Sequence, residues 1–224
     1  MKKIVFCTLL ILFSFGLICG IAVAKKGPDK LIANFENGSY AKDPEWWKFD
    51  SVAIGITNNT HVEGEDKVAS STGKHSLNVS GVANNWYSGG FGTYLGIDAR
   101  PFSGVQMDIY GNGPKSGAVK LELVDDDDSN WEVLQDPKKA FIPTKDDRWV
   151  TQFNVDWKGW RRVYIPFEDF SVDNPGCGNG IWDPYQTEGS GGLLTMQFIC
   201  LGNSKSGKID FTIDNIMLVG SQPK

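Results

Sequence analysis

Apolar residues at every second position constrain this chain more than any other feature. Val105, Met107 and Ile109 alternate with Gln106, Asp108 and Tyr110, and Val119, Leu121 and Leu123 alternate with Lys120 and Glu122. Side chains that change face at each residue suit a strand with one buried side, and they cannot form the 3.6-residue stripe of a packed helix. The two runs are joined by Gly111-Asn112-Gly113-Pro114-Lys115-Ser116-Gly117, which is dense in residues that reach or fix turn geometry. The same reading predicts strands at Leu31–Phe35, Ser76–Val79, Gly90–Leu95, Val150–Val155, Arg161–Ile165, Leu194–Leu201 and Lys208–Leu218. No segment carries a sustained helical stripe. The expected fold class is all-β, a two-sheet β-sandwich.

The first 24 residues read differently. Lys2 and Lys3 precede an apolar run from Ile4 to Ile21, and Ala22-Val23-Ala24 supplies a small-x-small cleavage signature. This predicts a signal peptide over 1–24 and a single β-sandwich domain over 25–224. An uncleaved anchor helix is the competing reading of the same run. A lipid-modified Cys19 is disfavoured by the bulky Ile18 before it. Cleavage implies a secreted protein (extracellular, cell-surface or periplasmic) with no membrane span left, because no other stretch approaches ~18 apolar residues. Of the 22 basic side chains two leave with the leader, and against 27 acidic ones the mature charge is −7. That sign argues against a nucleic-acid partner, which needs basic surface.

Cleavage also removes Cys7 and Cys19, leaving Cys177 and Cys200. In an oxidising compartment they can pair. Equally, Cys200 lies inside the apolar run from Met196 to Leu201 and can be a small buried hydrophobe. Sequence leaves both readings open.

Two long loops are expected, from Asp125 to Asp147 and from Ser171 to Gly192, and long loops on a rigid sandwich commonly carry binding residues. The first opens with Asp125-Asp126-Asp127-Asp128. It reads as a solvated turn rather than a metal site, because calcium loops of the EF type space their acids at alternate positions and add a glycine. All eight Trp lie beyond the leader, several among polar residues, as in Asn84-Asn85-Trp86-Tyr87-Ser88-Gly89-Gly90. Any one of them can plug a core. Flat aromatic faces beside amides and carboxylates also suit a sugar ring, with its apolar C–H face and rim of hydroxyls. Catalytic signatures are lacking: His61 and His75 form no zinc pattern, and neither a Gly-x-Ser-x-Gly elbow nor a Glu-x-Asp-x-Glu strand occurs. The chain is therefore not expected to be an enzyme.

Three segments together resemble a known family: Asn34-Phe35-Glu36-Asn37-Gly38, the stretch Gly159 to Phe170, and the stretch Ser206 to Ile216. Their order is similar to that of the galactose-binding-like jelly rolls of carbohydrate-binding modules, most nearly family 11, which binds β-glucans. The resemblance implies a non-catalytic polysaccharide-binding domain with two sites. A structural calcium ion would be held by Glu36, with Asn34 beside it, and by Asp214. The loop Ser70 to His75, including Lys74, would complete its shell with backbone carbonyls. A concave sheet face would receive the sugar chain through Trp86, Tyr87, Asp147, Trp149, Asp183 and Tyr185. The chain departs from the family at Cys200-Leu201-Gly202, where a stacking tyrosine is expected. A structural protein of a sheath or envelope, built on the same jelly roll, is the alternative.

Overall fold

The computed structural model describes residues 27–59, 63–65, 68 and 71–220, so the leader, its two cysteines and Ser70 lie outside the described residues. One six-stranded antiparallel sheet has the order β11 (Lys158–Pro166), β6 (Gly104–Asn112), β14 (Lys208–Val219), β4 (His75–Val82), β3 (Ala53–Asn58), with β1 (Lys30–Ala33) also on β14. The facing sheet has the order β12 (Ser171–Val172), β10 (Arg148–Asn154), β7 (Ala118–Asp125), β13 (Leu193–Leu201), β5 (Tyr87–Ile97), β2 (Trp46–Asp50). A small hairpin of β8 (Gln135–Asp136) and β9 (Ile142–Pro143) stands apart from both. The sandwich expected from the alternation is present.

Alternation explains how the sheets meet. Val105, Met107 and Ile109 from β6 and Val119, Leu121 and Leu123 from β7 are completely buried in one core. At its centre Phe91 and Phe198 stack with ring centres 4.9 Å apart, and Trp46 packs against them at 5.8 and 6.0 Å. The outer face of the first sheet is covered as well. Tyr110 and Trp160 meet edge to face at 5.6 Å beside buried Val68, and Arg162 grips Asp108. The second sheet leaves its outer face open.

Strand β14 serves two neighbours in succession. Lys208–Ile213 pairs with β4, and Ile216–Leu218 pairs with β1. The changeover falls at Asn215, whose φ of 47° marks the irregularity in the ladder with β6. Asp214 sits at that corner.

Both cysteines are free thiols. Cys200 takes the second of its two readings: it is fully buried in β13, and burial pushes its thiol up to about 12. Reductant should leave the melting temperature unchanged. A thiol reagent should label half-buried Cys177 in the folded protein and reach Cys200 only after unfolding; a reductant-sensitive melting curve would contradict this.

Candidate functional site: an aromatic groove and an acidic corner

The open face of the second sheet is organised in cross-strand rows. One row runs Trp47, Gly92, Gln197, Glu122, Val150, and the next runs Phe49, Gly90, Ile199, Lys120, Gln152. Each edge aromatic thus lies directly opposite a glycine. A Cβ at Gly92 would fall 2.9 Å from the Trp47 ring, and one at Gly90 would fall 2.5 Å from the Phe49 ring. The missing side chains let both rings settle on the sheet backbone, a pairing in which an aromatic covers a strand glycine. The result is a groove of about 890 Å³ bounded by Trp47, Phe49, Tyr87 and, from the β8–β9 hairpin, Phe141. Its floor is charged. Glu122 is almost fully buried and pairs with Lys120 at 2.6 Å and Arg148 at 3.7 Å, while Arg148 also holds Asp173 at 2.7 Å.

The groove continues at both ends. Past Trp47 and Gln197 it reaches Tyr94 and Trp131, and past Leu201 it reaches Trp86 and Asn203. Three exposed aromatics along it sit in left-handed backbone: Trp86 at φ 74°, Trp131 at 65° and Phe141 at 57°. Bulky residues rarely adopt that region, and each instance costs about 1–3 kcal/mol. The surroundings hold them there. The Trp131 amide donates to Asp126 Oδ2 and its indole donates to the Gly189 carbonyl at 2.7 Å. Tyr87 donates its hydroxyl to Asp50 Oδ2 at 2.5 Å; burial first, then Asp50, raises the phenol well above its ordinary value, so it stays a neutral donor.

Of the six sugar-contact residues expected from sequence, the structure brings Trp86 and Tyr87 to the groove and takes the others elsewhere. Trp149 lies in the row of Met196 and Leu123, facing the core, and meets Trp182 edge-on at 5.5 Å. Asp147 is fully buried and accepts the Gly180 amide. Tyr185 is half-buried, with the Arg100 guanidinium 5.8 Å from its ring centre. Asp183 joins an acidic cluster. Trp47, Phe49, Trp131 and Phe141 also line the groove, and the sequence reading does not single them out. The available signal was Trp47-x-Phe49 matched by Gly90-x-Gly92.

The tetra-aspartate is not a solvated turn. Asp125 and Asp126 are buried, as are Asp146 and Asp147 across from them. Strand β7 ends at Asp125 and the chain bends at Asp127 and Asp128, and the four acids fall into two groups. Asp126, Asp128 and Asp146 form one group, and Asp125, Asp127 and Asp183 the other. Asp126 is satisfied by the amides of Asn130, Trp131 and Gly191. Asp125 is not. Burial, then the charges of Asp127 and Asp147, push its carboxyl up to about 9; burial likewise raises Asp127 to about 6 and Asp146 to about 7. Buried Asp125 with half-buried Asp127 on one side, and buried Asp146 on the other, are acids whose charge burial disfavours, a setting that suits a cation.

A second acidic place lies where β14 changes partner. Asp214 is buried, accepts from Ser76 Oγ at 3.3 Å and from the Asn215 amide, and burial raises its carboxyl to about 8, with Asp108 and Glu36 adding to the rise. Glu36 Oε1 accepts the amides of Lys74 and His75, both at 2.8 Å. The loop therefore turns those two N–H groups toward Glu36. The Lys74 carbonyl accepts the Asn59 amide, and Asn34 Oδ1 accepts the amide of Glu36 itself. The carbonyls expected to complete a calcium shell are thus engaged elsewhere, Lys74 and Thr72 by Asn59, while Asp214 has no ion pair among the described residues and has the oxygens of Ser76 and Asn59 beside it.

No family model and no curated protein matches the chain. Solved structures do. The chain is similar to the family 11 carbohydrate-binding module from Clostridium thermocellum, solved in complex with a β-1,3-1,4-mixed-linked tetrasaccharide. The TM-score is 0.50 at 19% identity, over 88% of this chain and 98% of that one. It is also similar to an exo-β-agarase, with a TM-score of 0.52 at 12% identity over 87% of this chain and 26% of that one, so it spans about a quarter of the agarase. At such identities the likeness concerns the fold. The chain has the β-sandwich fold of carbohydrate-binding modules.

Proposed function

We propose that this domain is secreted and binds a polysaccharide chain of β-glucan type along the groove of its second sheet, without hydrolysing it. The observation that carries the reading is the set of three exposed aromatics, Trp86, Trp131 and Phe141, held in left-handed backbone along a single groove. Strain of this kind persists where surrounding structure enforces it, and it clusters at binding sites. Between the rings, Glu122, Arg148 and Gln197 offer charged and amide partners for hydroxyls, while Trp47 and Phe49 offer flat apolar area. From Thr195 to Leu201 the floor runs about 20 Å at the usual strand rise, room for several sugar units. The groove's carboxylates are already engaged, Glu122 by Lys120 and Arg148 and Asp50 by Tyr87, which leaves them poorly placed to act as a glycosidase acid and base.

The tetrasaccharide in the family 11 structure makes mixed-linked β-glucan the first ligand to test. Electrophoresis through gels containing β-glucan, xylan or mannan should show retardation in at least one. Trp86→Ala and Tyr87→Ala should each weaken it by roughly 1–2 kcal/mol, the scale of an aromatic contact at a binding hot spot. No release of reducing sugar is expected. Wild-type protein that migrates freely through all three gels would refute the reading.

A structural calcium ion at Glu36 and Asp214 belongs to the same proposal. It would tie the segment after β1 to the corner of β14, reinforcing the pairing of these two strands, which lie far apart in sequence.

A further inference from the structure

The corner at the end of β7 presents a problem that hydrogen bonds leave unsolved. Alternation carries Val119, Leu121 and Leu123 into the core and delivers Asp125 to the end of the same buried row. Asp125 is 1% exposed, yet neither of its carboxylate oxygens has a hydrogen-bond donor. The amides of Asp125 itself and of Asp183 temper its rise without reaching hydrogen-bond geometry. Asp127 Oδ1 and Asp147 Oδ1 are also buried without a donor. One oxygen from each of Asp125, Asp127 and Asp183 lies within 4.8 Å of the others. Among the described residues none of these acids has an ion pair, and Arg100, Lys120 and Arg148 are held by Asp98, Glu122 and Asp173.

A buried, donorless carboxylate is costly, and two more beside it add repulsion. Native proteins keep such groups where something absent from the polypeptide completes them. The missing partner must be positive, must accept only oxygen ligands and must fit between three carboxylates. A hard divalent cation does so, and calcium's tolerance for irregular shells of six to eight oxygens suits three carboxylates with water filling the rest. Backbone closeness points the same way. A Cβ on Gly178 would fall 2.1 Å from Asp127 Oδ2, so the loop that carries Asp183 is drawn hard against the acids.

We propose that Asp125, Asp127 and Asp183, with Asp147 alongside, form a calcium site distinct from Glu36 and Asp214, which fastens the loop around Trp182 to the end of β7. This inference does not depend on sugar binding.

The test uses the full mature chain, stripped of metal by chelator, in an Asp214→Asn background so that the other acidic corner is silent. Terbium, a lanthanide of calcium's size, is the probe, excited through tryptophan, because Trp182 adjoins Asp183. Saturable emission is expected at micromolar terbium, displaced by calcium. Adding Asp183→Asn should abolish it, and adding Asp127→Asn should weaken the affinity at least tenfold. Calcium at 1 mM should raise the melting temperature of Asp214→Asn by roughly 5 °C and leave the Asp214→Asn/Asp183→Asn variant unmoved. Asp125→Asn, which preserves shape while deleting a charge, covers the case in which a loop variant loses its near-ultraviolet dichroism. Equal responses with and without the second substitution, or terbium that calcium does not displace, would overturn the site.

Discussion

Alanine at Trp46 and alanine at Trp47 should fail in opposite ways. Trp46 is 2% exposed and touches Phe35, Phe91 and Phe198, so truncating it opens a cavity in the middle of the core. The expected loss is about 3–5 kcal/mol of stability. Trp47 lies on the other face of the same strand, over Gly92, with its ring in the groove. Its removal should leave the melting temperature nearly unchanged and weaken polysaccharide binding by about 2 kcal/mol, close to thirtyfold. Thermal melts and affinity electrophoresis on the two single variants check both halves. A Trp47→Ala protein that binds like wild type would move the ligand off this face.

The second large effect belongs to the covered side of the other sheet. Arg162 donates to Asp108 through Nε at 2.7 Å and Nη2 at 2.9 Å, and Asp108 has no solvent exposure. The remaining donors to Asp108 are neutral, Ser71 Oγ at 3.3 Å and Asn215 Nδ2 at 3.0 Å. Arg162→Ala would strand a buried charge, and removing one partner of such a pair costs about 3–5 kcal/mol. For a domain of this size that is a fall in melting temperature of roughly 10 °C. Arg162→Lys keeps the charge without the fork and should fall between. A melting curve for Arg162→Ala within 2 °C of wild type, a margin well inside that ~10 °C expectation, would contradict the assignment.

How much of this is legible in the chain depends on whether apolar and polar side chains alternate along each strand. β6, β13 and β14 have an apolar inner row, and so does β7 as far as Leu123, so the period of two is visible and the sandwich follows. β2 escaped notice because Trp46-Trp47-Lys48-Phe49 carries aromatics on both faces, one set for the core and one for the groove. The family resemblance implies a sugar contact at Trp149, but sequence does not give register: a shift of one residue decides whether an aromatic meets Leu123 or solvent. The aspartates misled for a related reason. Four acids in a row normally mark water, and here the strand persists into them and carries Asp125 inside. Glu36 and Asp214, far apart in sequence, come near each other because β1 pairs with the end of β14.

The two glycines under Trp47 and Phe49 make the groove a negative relief, cut into the sheet instead of raised on it by loops. Its depth is set by atoms that are absent. A single methyl at Gly92 would push against the Trp47 ring, the Gln197 stem and the Met196 carbonyl together. Width and tilt of the platform would shift in one step, and the Met196 carbonyl of the neighbouring strand would have to give with them. Selection on such a surface has a coarse dial in the loops and a fine one in these two positions, where the smallest possible substitution redraws the contour a ligand must match.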